Sequence, residues 1–335
     1  MHCIGLDIGG ANLKFSDGQQ SFSIPFPLWQ KSTELADALR NGLAAFPSEC
    51  ALAVTMTGEL ADCYATRREG VRSILHAVQS IAGSRSVGVW STTGEFLTIS
   101  QAQEFPILAA AANWHALATW TGRLQPQGNL LLIDMGSTTT DIIPIENGLP
   151  MPQGRTDLER LASGELLYMG LRRTPVCSVI DSIKIRVEDD ETMGIPVARE
   201  FFATVGDAML ILNRVRPDTS DISTANGQPF TFEQAQCRLS RMVCSDTDDL
   251  SDSQIHAMAQ GIESAMQQHL LNAFNKATRE FLFESALLSG EGEAMVRETL
   301  PLPTSNVYSL GEMLGSQHST AACAYALADL GRERL

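Results

Sequence analysis

"DIGGANLKF", residues 7–15, decides how this chain folds. It follows an apolar run, residues 3–6, that reads as a buried strand. Two adjacent glycines interrupt the pattern, and residues 12–15 resume it as a second strand. Strand, glycine turn and strand make a hairpin, and Gly9 and Gly10 are expected to supply the positive φ that such a turn tolerates only in glycine. The arrangement returns in "DMGSTTTDI", residues 134–142, after the apolar run 130–133. The two stretches align without a gap: Asp7 on Asp134, Gly9 on Gly136, Gly10 on Ser137, Asn12 on Thr139, Lys14 on Asp141. A single duplication of this kind points to two similar halves, not to a solenoid.

Working outward, strand-like runs at 3–8, 12–15, 21–25, 50–57 and 87–90 alternate with helical patterns at 33–45, 71–82 and 106–121. "GRLQPQGN", residues 122–129, reads as a connector. The pattern then restarts with strands at 130–133 and 141–145 and helices at 156–168 and 197–212. A helix opens at Thr231 with Gln234 placed for a capping box, and 252–279 is the longest helix. A strand at 286–288 runs into "SGEG" and another helix, and 313–330 is a last alanine-rich helix. This is an α/β pattern. It predicts a first domain over 1–128, a second over 129–312, and a C-terminal helix, 313–335, returning to the first.

Composition narrows the function. Of 335 residues, 44% are hydrophobic and 19% charged, as in ordinary globular proteins. The net charge is −15 and no basic stripe is visible, which argues against nucleic-acid binding. Seven cysteines without a C-x-x-C pair favour neither a disulfide framework nor a thiolate zinc site. Six dispersed histidines make a histidine-based metal site unexpected, whereas Mg²⁺ on carboxylates and substrate phosphates fits the residues present. Neither a signal peptide nor a membrane span of about 18 apolar residues is expected, so the reading is cytoplasmic.

The two hairpins suit phosphate chemistry. Bare backbone N–H groups at Gly9, Gly10 and Gly136 make concave anion sites. Asn12 donates from its amide, Lys14 brings a mobile positive charge, and Ser137, Thr138 and Thr139 bring hydroxyls. Asp7 and Asp134, at strand ends, are candidates for holding Mg²⁺. Gly290 and Gly292 precede a helix whose N-terminus attracts an anion, a third wall of the same cleft.

Two phosphate hairpins and a late Gly-x-Gly turn resemble the actin/sugar kinase/Hsp70 superfamily, whose two ribonuclease-H-like domains close over a phosphate-bearing ligand. "VTMTGELADCY" (54–64), "ANWHALA" (112–118), "DMGSTTTDIIPI" (134–145), "TDLERLASGELLYMGLRRTPV" (156–176) and "REFFATVGDAMLIL" (199–212) are similar to its hydantoinase/oxoprolinase-like subgroup. Within it they resemble the proteins of tetrahydromethanopterin-linked C1 transfer. Archaeal members of that group work in methanofuran biosynthesis. They join a furan-methyl diphosphate to the phenol oxygen of γ-glutamyl-tyramine and release diphosphate. The resemblance implies such a transferase here, with a small phosphate ester and a tyramine-derived acceptor as partners and without use of ATP. An ATP-dependent kinase or hydrolase of the same superfamily is the alternative, with adenosine expected near residues 289–292, and a non-catalytic phosphate sensor is a third reading.

The chain departs from its relatives at Ala11, where sugar-kinase-like proteins often carry a threonine, and Lys14 and Asp141 hold equivalent places with opposite charge. A phenol with a pKa of about 10 needs a base. Glu59, after Thr57-Gly58 at a strand end, is one candidate, and Glu165 and Asp207 are others. Asn113 and His115 share a helix but not a face; His115 reads as a core residue and Asn113 as a substrate ligand. Arg172 and Arg173 are placed to clamp a diphosphate or the glutamyl end of the acceptor. Tyr168, Phe201 and Phe202 have two readings, facing the furan or packing in the core, of which core packing is preferred.

Overall fold

The structure, a computed structural model, describes residues 2–186 and 192–335. Its first sheet contains β1 (Cys3–Ile8), β2 (Asn12–Ser16), β3 (Ser21–Pro25), β4 (Ala51–Met56), β5 (Val87–Trp90) and β6 (Phe96–Leu97). They lie in the order β3-β2-β1-β4-β5-β6. The second sheet starts with β7 (Asn129–Met135), β8 (Thr140–Glu146), β9 (Leu149–Pro150) and β10 (Leu166–Leu167). A separate ribbon, β11 (Ser182–Arg186) and β12 (Thr192–Pro196), intervenes before β13 (Ser285–Ser289) and β14 (Val307–Ser309) complete it. Its order is β10-β8-β7-β13-β14, with β9 beside β8.

The two sheets repeat one plan. The first two strands pair antiparallel, β1 with β2 and β7 with β8, and the opposite edge of each leading strand takes a parallel partner, β4 or β13. β1 and β7 are therefore central strands, which is why both read as continuous apolar runs. The chain is a mixed α/β fold built on two sheets of one plan.

Each sheet has its own core. Leu6, Leu13, Leu39, Val54 and Leu75 pack on the first, and Ile133, Ile142, Met258, Met266 and Leu288 on the second. A third cluster joins them. Trp114, Leu117 and Ala118 of the helix Asn113–Leu124 and Ala326, Leu327 and Leu330 of the helix Ala322–Arg334 touch Cys3 and Ala53 of the first sheet and Leu132, Ile143 and Leu287 of the second. Trp120 Nε1 donates to Asp329 Oδ2 at 2.9 Å, tying the two helices together. The C-terminal helix lies directly on β1. A Cβ at Gly5 would come within 1.9 Å of the Ala324 carbonyl oxygen, so this strand position excludes side chains.

Several helices are shorter than the apolar periodicity suggests. The run 106–121 breaks into Pro106–Ala109 and Asn113–Leu124 at Ala111, whose φ of 46° is uncommon for a residue with a Cβ. The run 156–168 stops at Ser163, because Gly164 (φ 87°) is a left-handed C-terminal cap. Of 197–212 only Val205–Ile211 is helical: the Asp207 carboxylate accepts from the Thr204 N–H at 3.0 Å and fixes the start there. The last pattern divides into Leu310–Leu314, Ser316–Thr320 and Ala322–Arg334, with Gly315 (φ 83°) at the first break. Thr231 makes no capping hydrogen bond to its helix.

Candidate active site

The hairpins at residues 9–12 and 136–139 face one cavity of about 320 Å³. They are copies at the level of hydrogen bonds: Gly9 N–H donates to the Asn12 carbonyl at 2.9 Å, and Gly136 N–H to the Thr139 carbonyl at 2.9 Å. The strand registers match as well, with Asp7 opposite Lys14 and Asp134 opposite Asp141. Directly opposed side chains share a face of the sheet, so all four project into the cavity.

The glycines do not act through positive φ, because Gly9, Gly10 and Gly136 all have ordinary negative or extended values. They provide clearance. A Cβ on Gly9 would lie 2.9 Å from the Asn12 carbonyl oxygen, whereas one on Gly10 would project into open space, where a ligand approaches the backbone. Two further glycines back the turns. A Cβ on Gly58 would sit 3.2 Å from the Gly9 backbone, and one on Gly170 would sit 2.4 Å from the Thr138 nitrogen. Neither packing role is visible in the sequence, since each glycine lies next to its turn in space but far from it along the chain.

Among the expected phosphate ligands, Gly9, Gly10, Asn12, Lys14, Gly136, Ser137, Thr138 and Thr139 all line the cavity. Thr140 turns away, and its hydroxyl donates to the Met169 carbonyl at 2.7 Å. Gly290 and Gly292 do not line it. A Cβ at either would strike Met135, at 2.3 Å from the carbonyl oxygen and 2.4 Å from the side chain, so the Gly-x-Gly turn is a close-packing device behind β7. The helix N-terminus that opens on the cavity is Asn113–Leu124, through Ala111, Asn113 and Trp114.

The carboxylates divide into two groups. Asp7 is buried, its Oδ2 lies 3.6 Å from Lys14 Nζ, and its Oδ1 has no hydrogen-bond partner. Burial pushes the Asp7 carboxyl up, and Lys14 opposes that. Burial pulls the Lys14 ammonium down, but Asp7, with Asp134 behind it, more than offsets this and holds it charged. Asp134 is pushed up to about 6, first by burial and then by the charge of Asp141. Glu59 is 1% exposed, its Oε2 is unpartnered, and burial raises it to about 7. A buried carboxyl titrating there is poised for proton transfer.

Three other expected site residues are structural. Glu165 accepts from the backbone N–H groups of Gln153 (2.7 Å) and Gly154 (3.0 Å) and from Ser163 Oγ (2.9 Å), which pins a turn. Asp207 is paired with Arg238 in a buried bridge at 2.6 Å and starts a helix. Arg172 pairs with Glu291 and lies over Phe230. None of the three reaches the cavity, which leaves Glu59 as the base candidate within it. Asn113 and Arg173 do reach it. His115 does not; burial lowers its imidazole to about 4.

The sequence argument missed part of the wall. Arg160 is buried, stacks over Trp114 with its guanidinium carbon 4.0 Å from the ring centroid, and bonds to Asp141 at 2.5 Å. Asp157, Trp29, Leu60 and Cys323 also line the cavity, as does Tyr168, which stands exposed instead of in a core. Burial drives the Cys323 thiol well above its usual range, which disfavours the thiolate. Arg160 Nη1 also lies 3.7 Å from Asp157 Oδ1, and the spacing Asp157-x-x-Arg160 on a short helix is the signal in the sequence for that pair.

Asp7 and Asp134 are the residues able to hold a Mg²⁺. Asp7 Oδ1 is an orphaned buried oxygen at a phosphate turn, and Mg²⁺ typically takes one or two carboxylates plus phosphate oxygens and water. Among the described residues no group of three or more His, Cys, Asp and Glu side chains is placed to hold a metal, so the phosphate oxygens of a ligand would have to complete such a site.

Two sheets of one plan, each with a hairpin opening on a shared cavity, define a duplicated α/β protein with its site between matching turns. A family model described as hydantoinase/oxoprolinase matches residues 51–333, and the chain belongs to that family. It is 32% identical over 336 residues to the "(4-{4-[2-(gamma-L-glutamylamino)ethyl]phenoxymethyl}furan-2-yl)methanamine synthase" of Methanocaldococcus jannaschii, covering 99% of this chain and 98% of that one. A protein of the same name from Methanococcus vannielii is 32% identical over 211 residues, 62% of this chain and 92% of the relative. Among solved structures, the PilM-PilN type IV pilus biogenesis complex matches with a TM-score of 0.50 at 12% identity, over 99% of this chain and 98% of that one, a likeness of fold alone.

Proposed function

We propose that the chain is a transferase of methanofuran-type cofactor biosynthesis. It joins an aminomethyl-furan methyl diphosphate to the phenol oxygen of γ-glutamyl-tyramine and releases diphosphate, forming the ether in the product for which its archaeal relatives are named. The observation that supports this best is the pair of hairpins with matching backbone hydrogen bonds around one cavity that also holds the buried Glu59, whose Oε2 is unpartnered. A diphosphate leaving group and a phenol that must lose a proton require those two elements together.

In this reading Gly9, Gly10, Asn12, Lys14 and the turn 136–139 bind the diphosphate where negative charge grows as the furfuryl C–O bond breaks. Glu59 takes the phenol proton as the aryl oxygen forms its bond to the methylene carbon. Asp141 and Asp157, beside Arg160, face the aminomethyl cation of the furan. Mg²⁺ bound at Asp7 and Asp134 would neutralise charge on the leaving diphosphate. Residues 1–128 and 129–312 form the two lobes, with 313–335 packing back on the first, and their closure excludes water from the reactive furan carbon. The enzyme works in the cytoplasm, in tetrahydromethanopterin-linked C1 metabolism; no helix among the described residues is long and apolar enough to cross a membrane.

The test is incubation of the chain with the furan diphosphate and γ-glutamyl-tyramine, without ATP, while following ether product and inorganic diphosphate. Equimolar release of both is expected. Strict dependence on ATP with ADP as product would overturn the transferase reading.

A further inference from the structure

The rim of the cavity is built from different chemistry than its floor. The floor is charged, with Asp7, Lys14, Glu59, Asp134 and Arg160. The rim carries large apolar side chains that stand open to solvent: Trp29 is 38% exposed, Leu60 55% and Tyr168 66%. Such side chains gain most when an aromatic ligand covers them. Arg173 sits among them, its guanidinium carbon 5.5 Å from the Trp29 ring centroid, and no carboxylate pairs with it among the described residues.

Trp29 and Arg173 are mounted on the two phosphate turns. Phe26 N–H donates to the Ala11 carbonyl at 2.8 Å and Leu28 N–H to the Gly10 carbonyl at 2.9 Å, so Trp29 follows directly from a clamp on the first turn. Leu171 N–H donates to the Gly136 carbonyl at 2.9 Å and Arg173 N–H to the Ser137 carbonyl at 2.9 Å, a matching clamp on the second. A phosphate group in the turns and a molecule at the rim are thereby held at a fixed spacing by short, hydrogen-bonded backbone.

We propose that the rim is the acceptor subsite: Trp29, Leu60 and Tyr168 receive the aryl ring, and Arg173 binds the carboxylate at the far end of the same molecule. This rests on the transferase reading above. The acceptor's order of groups, phenol oxygen, ring, two-carbon linker and amino-acid carboxylate, matches the order of chemistry from floor to mouth. A guanidinium can stack on an indole and still offer its edge donors to a carboxylate, which a lysine cannot do.

The experiment compares kcat/KM for γ-glutamyl-tyramine and for 4-aminobutyryl-tyramine, which lacks only the carboxylate, in the wild-type chain and in Arg173→Ala and Arg173→Lys. The wild type should prefer the full acceptor by about 10- to 100-fold, the worth of one charge-assisted contact. Arg173→Ala should erase the preference while leaving KM for the furan diphosphate unchanged, and Arg173→Lys should restore part of it. Trp29→Ala should raise KM for both acceptors alike. A preference that survives in Arg173→Ala, or a Trp29→Ala effect confined to KM for the diphosphate, overturns this assignment while the transferase reading stands. If the wild-type chain forms no ether at all, the transferase reading fails and the subsite falls with it.

Discussion

Glu59 shows at single-residue scale how a site is bought against stability. Its carboxyl ordinarily titrates at 4.5 and is raised to about 7 in the fold. Between those values the folded chain holds a proton that the unfolded chain has lost, so stability falls as pH rises across that window and the whole cost is present above pH 7. Glu59→Gln should therefore be more stable than the wild type at pH 8, by on the order of 3 kcal/mol, with the difference gone near pH 4; urea unfolding at the two pH values checks this. The same variant should lose turnover by about 100-fold or more, and the acid limb of the wild-type rate, with its midpoint near 7, should disappear. Asp134→Asn should keep its circular dichroism spectrum and lose most of its turnover; normal activity would remove Asp134 from the mechanism. Asp7, Glu59 and Asp134 were legible in the sequence because each ends an apolar run just before or just after a glycine. Glu165 and Asp207 looked similar on paper. Only the partners they find in three dimensions, the Gln153 and Gly154 N–H groups and Arg238, reveal them as structural.

At the scale of elements, the hairpins were readable because their content is local: a strand, a turn and a strand whose aligned residues fall in the same register. What backs them was not readable. Gly170 is far from the second turn in sequence, yet its missing side chain lets residues 136–138 lie against it. Gly170→Ala puts a Cβ 2.4 Å from the Thr138 nitrogen, so the turn must shift. The expected result is weaker diphosphate binding, about tenfold or more by calorimetry, with acceptor binding less affected. Helix ends failed for the same reason. Periodicity runs on through Ala111, Gly164 and Gly315, while backbone angles at those residues stop or break the helix. The Gly-x-Gly pattern is shared by anion sites and by tight strand-to-helix packing; here both glycines pack on Met135 and neither lines the cavity.

For the whole molecule, the third core cluster matters most. The helices Asn113–Leu124 and Ala322–Arg334 belong to both sheets at once, and Leu327 is fully buried between them. Leu327→Ala should cost about 2–5 kcal/mol. Because neither sheet retains its packing without that layer, thermal unfolding should remain one transition, shifted to lower temperature, with far-UV circular dichroism and tryptophan fluorescence moving together. Two separated transitions would show that the halves fold independently.

The opposite residues at equivalent places, Lys14 in the first hairpin and Asp141 in the second, have one more result. A slot lined by two identical turns would accept a ligand either way round. Exchanging a cation for an anion at one matched position breaks that twofold equivalence: Lys14 pairs with Asp7 on one side, while on the other Asp141 faces Asp134 and pairs with Arg160. An ester with phosphates at one end and an ammonium at the other then meets a polarised slot. On the proposed reading, such an ester is expected to enter in one sense, as a keyed plug enters its socket.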